Sequence, residues 1–380
     1  MTTVLLVDHA PFFGGSESFL LDLVSALDRT AFTPVIVTDP RSPLLDQLRA
    51  SGVTVVTTPL PRINGTPAFA WRLWRSGRAL ARIARETGAN VIHTFTARTH
   101  LIGVIASLLS RVPLVWRLGD ETLPRWALMS FGRIPARVVG VSMWIAEQYP
   151  GFHMHGLVPD GARPSLVMSK RDARDELGLE QDVPLVVHVG RLVRWKGQRV
   201  FLRALAEVSR EFPDVQGLVV GSWNAVDDFP GEFGGGEPYY AELRQLVIDL
   251  GLNTPTRARV TFAGFIRSAG LAYAAADVFT HTSTRPEPFG RTIIEAMMAG
   301  CPVVAARAGG PAEIIVDGES GLLTTPGDVS ALAQSIASML RSESERRRLS
   351  AGGRARARAE YTLDRMTRQM EDTYRGALSS

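Results

Sequence analysis

The chain has 380 residues, 42 basic against 38 acidic side chains, a net charge of +4 and 45% hydrophobic content. That length exceeds one ordinary hydrophobic core and predicts two domains, while so mild a charge gives no reason to expect a nucleic-acid partner. The longest largely apolar run, Leu101 to Leu109, ends at Ser110-Arg111, well short of the roughly 20 residues of a membrane span.

The chain opens with MTTVLLVDHA, which lacks a basic region and reaches Asp8 early, so no signal peptide is expected. Cys301 is the only cysteine; an intrachain disulfide is excluded and a cytosolic setting is expected. Val4-Leu5-Leu6-Val7 is a continuous apolar run of the kind buried on both faces of a parallel sheet. Gly14-Gly15 follows, then a helix from about Ser16 with Leu20, Leu23, Val24 and Leu27 on one stripe. Strands are predicted at Val35–Thr38, Val53–Val56, Val91–His93, Leu114–Trp116 and Val138–Val141, with helices between most of them. This alternation predicts a doubly wound α/β domain.

Gly156 to Pro164 is rich in turn formers and reads as a linker. A second α/β series follows at Leu185–Val189, Gly217–Val220, Arg259–Phe262, Val278–Thr280 and Val303–Val304. Trp223 to Pro238, with four glycines, reads as a mobile loop. The chain is helical from about Ala331, and Leu363, Met366, Met370 and Tyr374 form an apolar stripe on the last helix.

Gly190-Arg191-Leu192-Val193-Arg194-Trp195-Lys196-Gly197 follows the first strand of the second series directly. Ligands bind beyond the carboxyl ends of strands in open parallel sheets. Arg191 offers a planar fork and Lys196 a point charge for phosphate oxygens. Lys196 is notable because all but two of the 42 basic residues are arginine. Farther on, RPEPFGRTIIE from Arg285 to Glu295 reads as a loop entering a helix that ends at Gly300. If most of the Glu287–Glu295 separation is helical, the two carboxylates lie on the order of 12 Å apart, so that one could touch a sugar and the other a ribose. No catalytic triad, no acidic DxD cluster and no zinc pattern is evident. Asp227-Asp228 reads as solvent-exposed.

These segments together, GGSE at 14–17, VGRLVRWKG at 189–197, AGFI at 263–266, RPEPFGRTIIEAMMAG at 285–300 and AGGPAEIIVDGESGLL at 308–323, resemble a retaining glycosyltransferase of family 4 (glycosyl transferases group 1). The resemblance implies the GT-B fold: two Rossmann-like doubly wound domains facing across a cleft. It places an acceptor-side domain at 1–160, a donor-side domain at 161–355 and a helix at 356–380 crossing back to the first domain. It implies that Arg191 and Lys196 hold a donor diphosphate, that Glu287 contacts the transferred sugar, and that Glu295 binds the donor ribose. Gly190, with Phe289 and Gly290, would lie along the donor; Gly264, Phe265 and Ile266 would line the base pocket; Gly15 would face the donor from the other domain. The donor would be a UDP- or GDP-linked sugar and the acceptor a glycan, lipid-linked or small-molecule hydroxyl, with no metal and no cofactor. The chain departs from the family at Arg117-Leu118-Gly119-Asp120, where a histidine is common. Either Asp120 or Arg117 would take over that role, or the acceptor chemistry differs; His93 competes with a core reading. A nucleotide-sugar epimerase of similar fold and a catalytically reduced nucleotide-sugar-binding protein are the alternatives.

Phe69 to Glu86 reads as a helix. At about 100° per residue, Arg72, Arg75, Arg78, Arg82 and Arg85 share one side and Phe69, Leu73 and Leu80 the other. Trp71 lies among the arginines and Trp74 at their margin. An ordinary surface helix and a peripheral contact with the inner membrane face both fit this pattern.

Overall fold

The apolar runs of both series become parallel strands in the computed structural model, which describes residues 1–9, 14–42, 44–61, 67–119, 130–163, 168–223, 235–254, 257–266 and 268–379. The chain divides into a first unit, Met1–Gly161 with Leu363–Ser380, and a second unit, Ala162–Thr362. In the first, β1 (Thr2–Val7), β2 (Phe32–Thr38), β3 (Thr54–Thr57), β4 (Val91–Thr94), β5 (Leu114–Leu118) and β6 (Arg137–Gly140) form one sheet in the order β3-β2-β1-β4-β5-β6. Every pairing is parallel, with Leu5 beside Val35 on one side and Ile92 on the other.

Helices cover both faces of this sheet, which is why its central strands carry no polar alternation. One face takes Phe19, Leu20, Leu23 and Val24 of the helix Gly15–Ala26, together with Leu363, Met366, Met370 and Tyr374 of the last helix, Leu363–Leu378. The other face takes Leu80, Ile83 and Ala84 of the helix Pro67–Glu86 and Ile102 and Ala106 of the helix Ala97–Ser110. The terminal apolar stripe therefore belongs to the first unit's core. The boundary expected at 355/356 falls inside a continuous helix, Glu343–Glu360, which stays with the second unit; the chain leaves that unit at Thr362.

The second unit repeats the plan. Its strands are β7 (Leu185–Val189), β8 (Gln216–Val220), a small hairpin of β9 (Asn253–Thr254) and β10 (Arg257–Ala258), β11 (Val260–Gly264), β12 (Val278–His281), β13 (Val303–Ala306) and β14 (Leu322–Thr324). The main sheet runs β11-β8-β7-β12-β13-β14, all parallel. The hairpin and β14 were not predicted, because two or three residues carry too little period to read. Counted within each six-stranded sheet, both have strand order 3-2-1-4-5-6, the doubly wound arrangement. The direction of winding reverses between β1 and β4 in the first unit and between β7 and β12 in the second. A crevice opens at the carboxyl ends of the strands at such a point.

Two first-unit candidates are absorbed by packing. His93 is fully buried, its Nδ1 2.7 Å from the Tyr374 hydroxyl and its ring against Phe19 and Phe95. Burial, with Arg117 nearby, holds its pKa well below the usual range, so it is a neutral core histidine. Arg117 is equally committed. Its Nη2 donates to Asp160 Oδ1 at 2.7 Å and to the Val158 carbonyl at 3.2 Å, and its guanidinium lies 3.8 Å over the Phe19 ring. The ion pair commits Arg117 to the first unit's packing and ties the start of the Gly156–Pro164 stretch to that unit, while the passage between units, Gly161 to Ala162, falls inside the stretch as a linker requires. Leu157 bridges to Gly140 beside β6, and the Val158 amide donates to the Gly140 carbonyl at 2.8 Å. Asp120 lies outside the described residues, as do Asp227 and Asp228.

Asp160→Ala should lower first-unit stability by about 3–5 kcal/mol, because it strands a buried guanidinium; an unchanged urea midpoint would show the pair to be dispensable. Acid should act through the buried histidines. His100, stacked on Trp116 at 3.7 Å, has its pKa lowered by burial to about 3, and His93 is lowered too. Unfolding restores values near ~6.5, so below that pH the unfolded chain binds more protons. Stability should be full above about pH 6.5 and fall as pH drops below it. Denaturation at a series of pH values checks this, and the slope should be shallower in His93→Gln.

Candidate active site

At the reversal point of the second sheet, the loop leaving β7 meets the loop leaving β12. Lys196 Nζ donates to Glu287 Oε1 at 2.6 Å and to Oε2 at 2.7 Å. Both side chains are mostly buried, 15% and 14% exposed. Glu287 Oε2 also accepts from Ser283 Oγ at 3.0 Å, and His281 Nε2 lies 3.3 Å away. Burial pushes the Glu287 carboxyl up, but Lys196 and His281 outweigh it and hold the group far below the usual carboxylate range. For Lys196 the balance runs the other way. Burial lowers its pKa, Glu287 raises it, and Arg191 lowers it further, for a net downward shift. Lys196 Nζ also stands 4.3 Å over the Trp195 ring.

The sequence builds this junction with short contacts that leave little room to move. Thr282 Oγ1 donates to the carbonyls of Lys196 and Gly197 at 3.1 and 3.0 Å, and the Thr284 amide donates to the Trp195 carbonyl at 2.8 Å. Gly197 sits at φ 75°, and a Cβ there would stand 1.9 Å from the Thr282 carbonyl oxygen. Only glycine allows both the conformation and the approach. On the far side, the Gly310 amide donates to the Glu287 carbonyl at 2.8 Å, and a Cβ on Gly310 would stand 2.1 Å from the Phe289 carbonyl oxygen. The Gly309-Gly310 turn thus fixes the backbone of the Glu287 loop. That loop ends at Gly290, the N-cap of the helix Arg291–Ala299, which closes with Gly300 in the left-handed conformation.

Residues around this pair were not all foreseen. His188, on β7, is 1% exposed; its Nδ1 lies 3.4 Å from Thr282 Oγ1 and its Nε2 has no hydrogen-bond partner. Burial, His281 and Lys196 lower its pKa to about 3. His188 and His281 were readable as polar residues ending otherwise apolar strands, but only the pairing of β7 with β12 makes them neighbours.

The remaining expected residues lie as follows. Arg191 is half-buried, near enough to Lys196 to lower its pKa, and its carbonyl accepts from Gln198 Nε2 at 2.8 Å. Gly190 and Gly264 end the neighbouring row of strands: the Gly190 amide bonds the Val220 carbonyl at 2.9 Å, and Gly264 accepts from Gly221 at 2.8 Å. Phe265 is 60% exposed and Ile266 half-buried beyond β11. Phe289 is buried against Tyr361, with ring centroids 5.8 Å apart. Glu295 lies on the helix, accepting from Arg291 Nε at 2.9 Å and from the Tyr273 hydroxyl at 3.3 Å. Since that helix starts only at Arg291, half of the Glu287–Glu295 separation is helical, and the premise behind the expected spacing fails. Gly15, in the first unit, is exposed at the start of its helix. Among the described residues no group of three or more His, Cys, Asp or Glu could hold a metal ion.

This geometry can be set beside known proteins. The sequence model of "Glycosyl transferases group 1" matches residues 169–356, and that of "Glycosyltransferase Family 4" matches residues 13–156. A GDP-mannose-dependent alpha-(1-6)-phosphatidylinositol monomannoside mannosyltransferase of Mycolicibacterium smegmatis is 29% identical over 88% of this chain and 87% of its own. A D-inositol 3-phosphate glycosyltransferase of a Nocardioides species is 33% identical over 54% of this chain, an alignment that spans only 44% of that protein. The crystal structure of Anabaena HepE in complex with UDP-glucose is 27% identical, covers 98% of this chain and 99% of that one, and superposes with a TM-score of 0.82. The two family models between them account for both doubly wound units, and the chain belongs to the glycosyl transferases group 1, as a glycosyltransferase of the GT-B fold.

Proposed function

We propose that the chain transfers a hexosyl group from a UDP- or GDP-linked sugar to a hydroxyl of a glycan, lipid-linked or small-molecule acceptor, with retention at the anomeric carbon and without a metal ion. The observation that carries this is the Lys196–Glu287 pair beside Arg191 at the reversal point of the second sheet. The relatives support the donor class, being named for GDP-mannose or bound to UDP-glucose.

The chemistry follows from charge. Breaking a sugar–phosphate bond builds positive charge at the sugar and negative charge on the departing diphosphate. A lysine ammonium has three N–H donors; Glu287 engages two of its directions and leaves capacity for a phosphate oxygen. Arg191 adds a second cation for the diphosphate. Glu287, held ionised at any ordinary pH, supplies the carboxylate that stabilises the developing oxocarbenium charge. The N-terminus of the helix Arg291–Ala299, with Gly290 at its cap, favours an anion. Glu295, one turn into this helix and held by Arg291 and Tyr273, would bind the ribose hydroxyls. Gly264, Phe265 and Ile266 would receive the base. Front-face attack assisted by the leaving phosphate would give retention.

Lys196→Ala should cut turnover at least ~100-fold, the scale of losing a charged transition-state contact; wild-type turnover would remove the phosphate assignment. Glu287→Ala should depress kcat more than donor affinity, and Glu295→Ala should do the reverse. Steady-state kinetics with a donor panel separates these, after thermal melting has shown each variant folded. Product analysis with and without acceptor tests the class: a changed hexose released without acceptor would instead indicate epimerisation, and an inverted anomer by NMR would overturn retention.

A further inference from the structure

The helix Pro67–Glu86 turns a stripe of exposed arginines away from the core. Its apolar side is buried: Leu80 and Ala81 are fully covered, and Gly77 packs so closely on Ile105 that a Cβ there would meet that side chain at 2.4 Å. Its other side lines a groove of about 1190 Å³, closed by Arg41 and the Thr58–Pro61 segment on one flank and by Leu109 on another. Arg72, Arg75, Arg78, Arg82 and Arg85 all line it, and among the described residues no acidic one does. Two acidic groups pair at its margin: Glu86 lies 3.6 Å from Arg82 across exposed side chains, and Asp39 pairs with Arg41. Apolar groups stand open beside this charge. Trp71 is 61% exposed and Trp74 46%, with Arg75 5.5 Å from the Trp71 ring centroid. At the other end Leu108 and Leu109 are 65% and 39% exposed, and Arg85 Nη1 holds the Leu109 carbonyl at 3.1 Å.

We propose that the first unit docks on an anionic phospholipid surface through this groove, with the arginines on lipid phosphates and Trp71, Trp74, Leu108 and Leu109 at the headgroup–acyl boundary. Charge alone would suit any polyanion. The exposed tryptophans and leucines at its ends decide for a lipid surface, because only there do a phosphate layer and an apolar layer lie side by side. A soluble polyanion would satisfy the arginines and leave the leucines in water. Among the described residues no helix is long and apolar enough to cross a membrane, so contact of this kind would be peripheral. The inference does not rest on the transfer reading, since lipid binding is scored without donor or acceptor.

The test is co-sedimentation of the full chain with vesicles of phosphatidylcholine alone or mixed with phosphatidylglycerol, at low and high salt. Binding is expected to the mixed vesicles only, weakened by salt. Each arginine near an anionic surface is worth about 1 kcal/mol, or roughly fivefold in partitioning, so Arg75→Glu/Arg78→Glu should lose at least ~25-fold. Trp71→Ala/Trp74→Ala should weaken binding and abolish any blue shift of tryptophan emission on vesicle addition. Thermal melting verifies that both variants fold, as substitutions on an exposed face should. Absence of binding, equal binding to neutral vesicles, or unchanged binding by Arg75→Glu/Arg78→Glu would each overturn the proposal. So would tighter capture by heparin or single-stranded DNA than by the mixed vesicles.

Discussion

Lys196 and Glu287 are 91 positions apart in the chain and bonded through both carboxylate oxygens. Nothing local brings them together. They meet because β7 and β12 are neighbours in a sheet whose winding reverses between them. A buried ion pair of this kind is poor value as a stabiliser, since desolvation of both charges cancels much of the attraction. The surrounding structure is nonetheless built to keep it: two threonines reach across to the lysine loop, and glycines at 197 and 310 permit backbone approaches that any Cβ would block. Constraint spent on an interaction that stabilises little is what a preorganised site requires, with charges fixed before a ligand arrives rather than reoriented afterwards.

The pair also divides the second sheet into chemically distinct edges. Toward β11, the carboxyl ends carry glycine backbone at 190, 221 and 264 and the exposed Phe265, a low and partly apolar rim. Toward β13, they carry the Glu287 loop, the glycine turn that fixes it and the start of a nine-residue helix. His188 and His281, both buried, lie between these; strand pairing brings them together, and His281 Nε2 stands 3.3 Å from Glu287.

The fold was legible because apolar runs of four or five residues, separated by helical stripes, leave few other arrangements for a chain of this length. Leu20, Leu23 and Val24, and the stripe from Leu363 to Tyr374, pack as their spacing implied. What was not legible depended on pairing at a distance. The sequence offered Arg191, Lys196 and Glu287 as separate groups with separate tasks, and gave no sign that Lys196 would spend its hydrogen bonds on Glu287. Arg117 was offered only as a substitute for the family histidine; its partner Asp160 lies 43 positions on, in a stretch whose turn formers masked its place beside β6. Short edges such as Leu322–Thr324 escaped for want of length.

Arginine abundance alone is weak grounds for reading any surface, since all but two of the chain's 42 basic residues are arginine. The informative question is how each one is used. Arg174 is buried and holds Asp277 together with the carbonyls of Ala275 and Val183; Arg117 holds Asp160; Arg194 reaches Glu242 and Arg341 reaches Glu211. Even the highly charged helix Glu343–Glu360 sets Arg347 and Arg348 against Glu343 and Glu345. Compositional bias would scatter arginines among such partners. It would not by itself align five of them at helical spacing along one groove with no acidic residue among its described lining, nor leave two tryptophans and a pair of leucines uncovered around it. What sets the stripe on Pro67–Glu86 apart is that exposed charge lies beside uncovered apolar side chains, and that combination gives it more weight than its charge does.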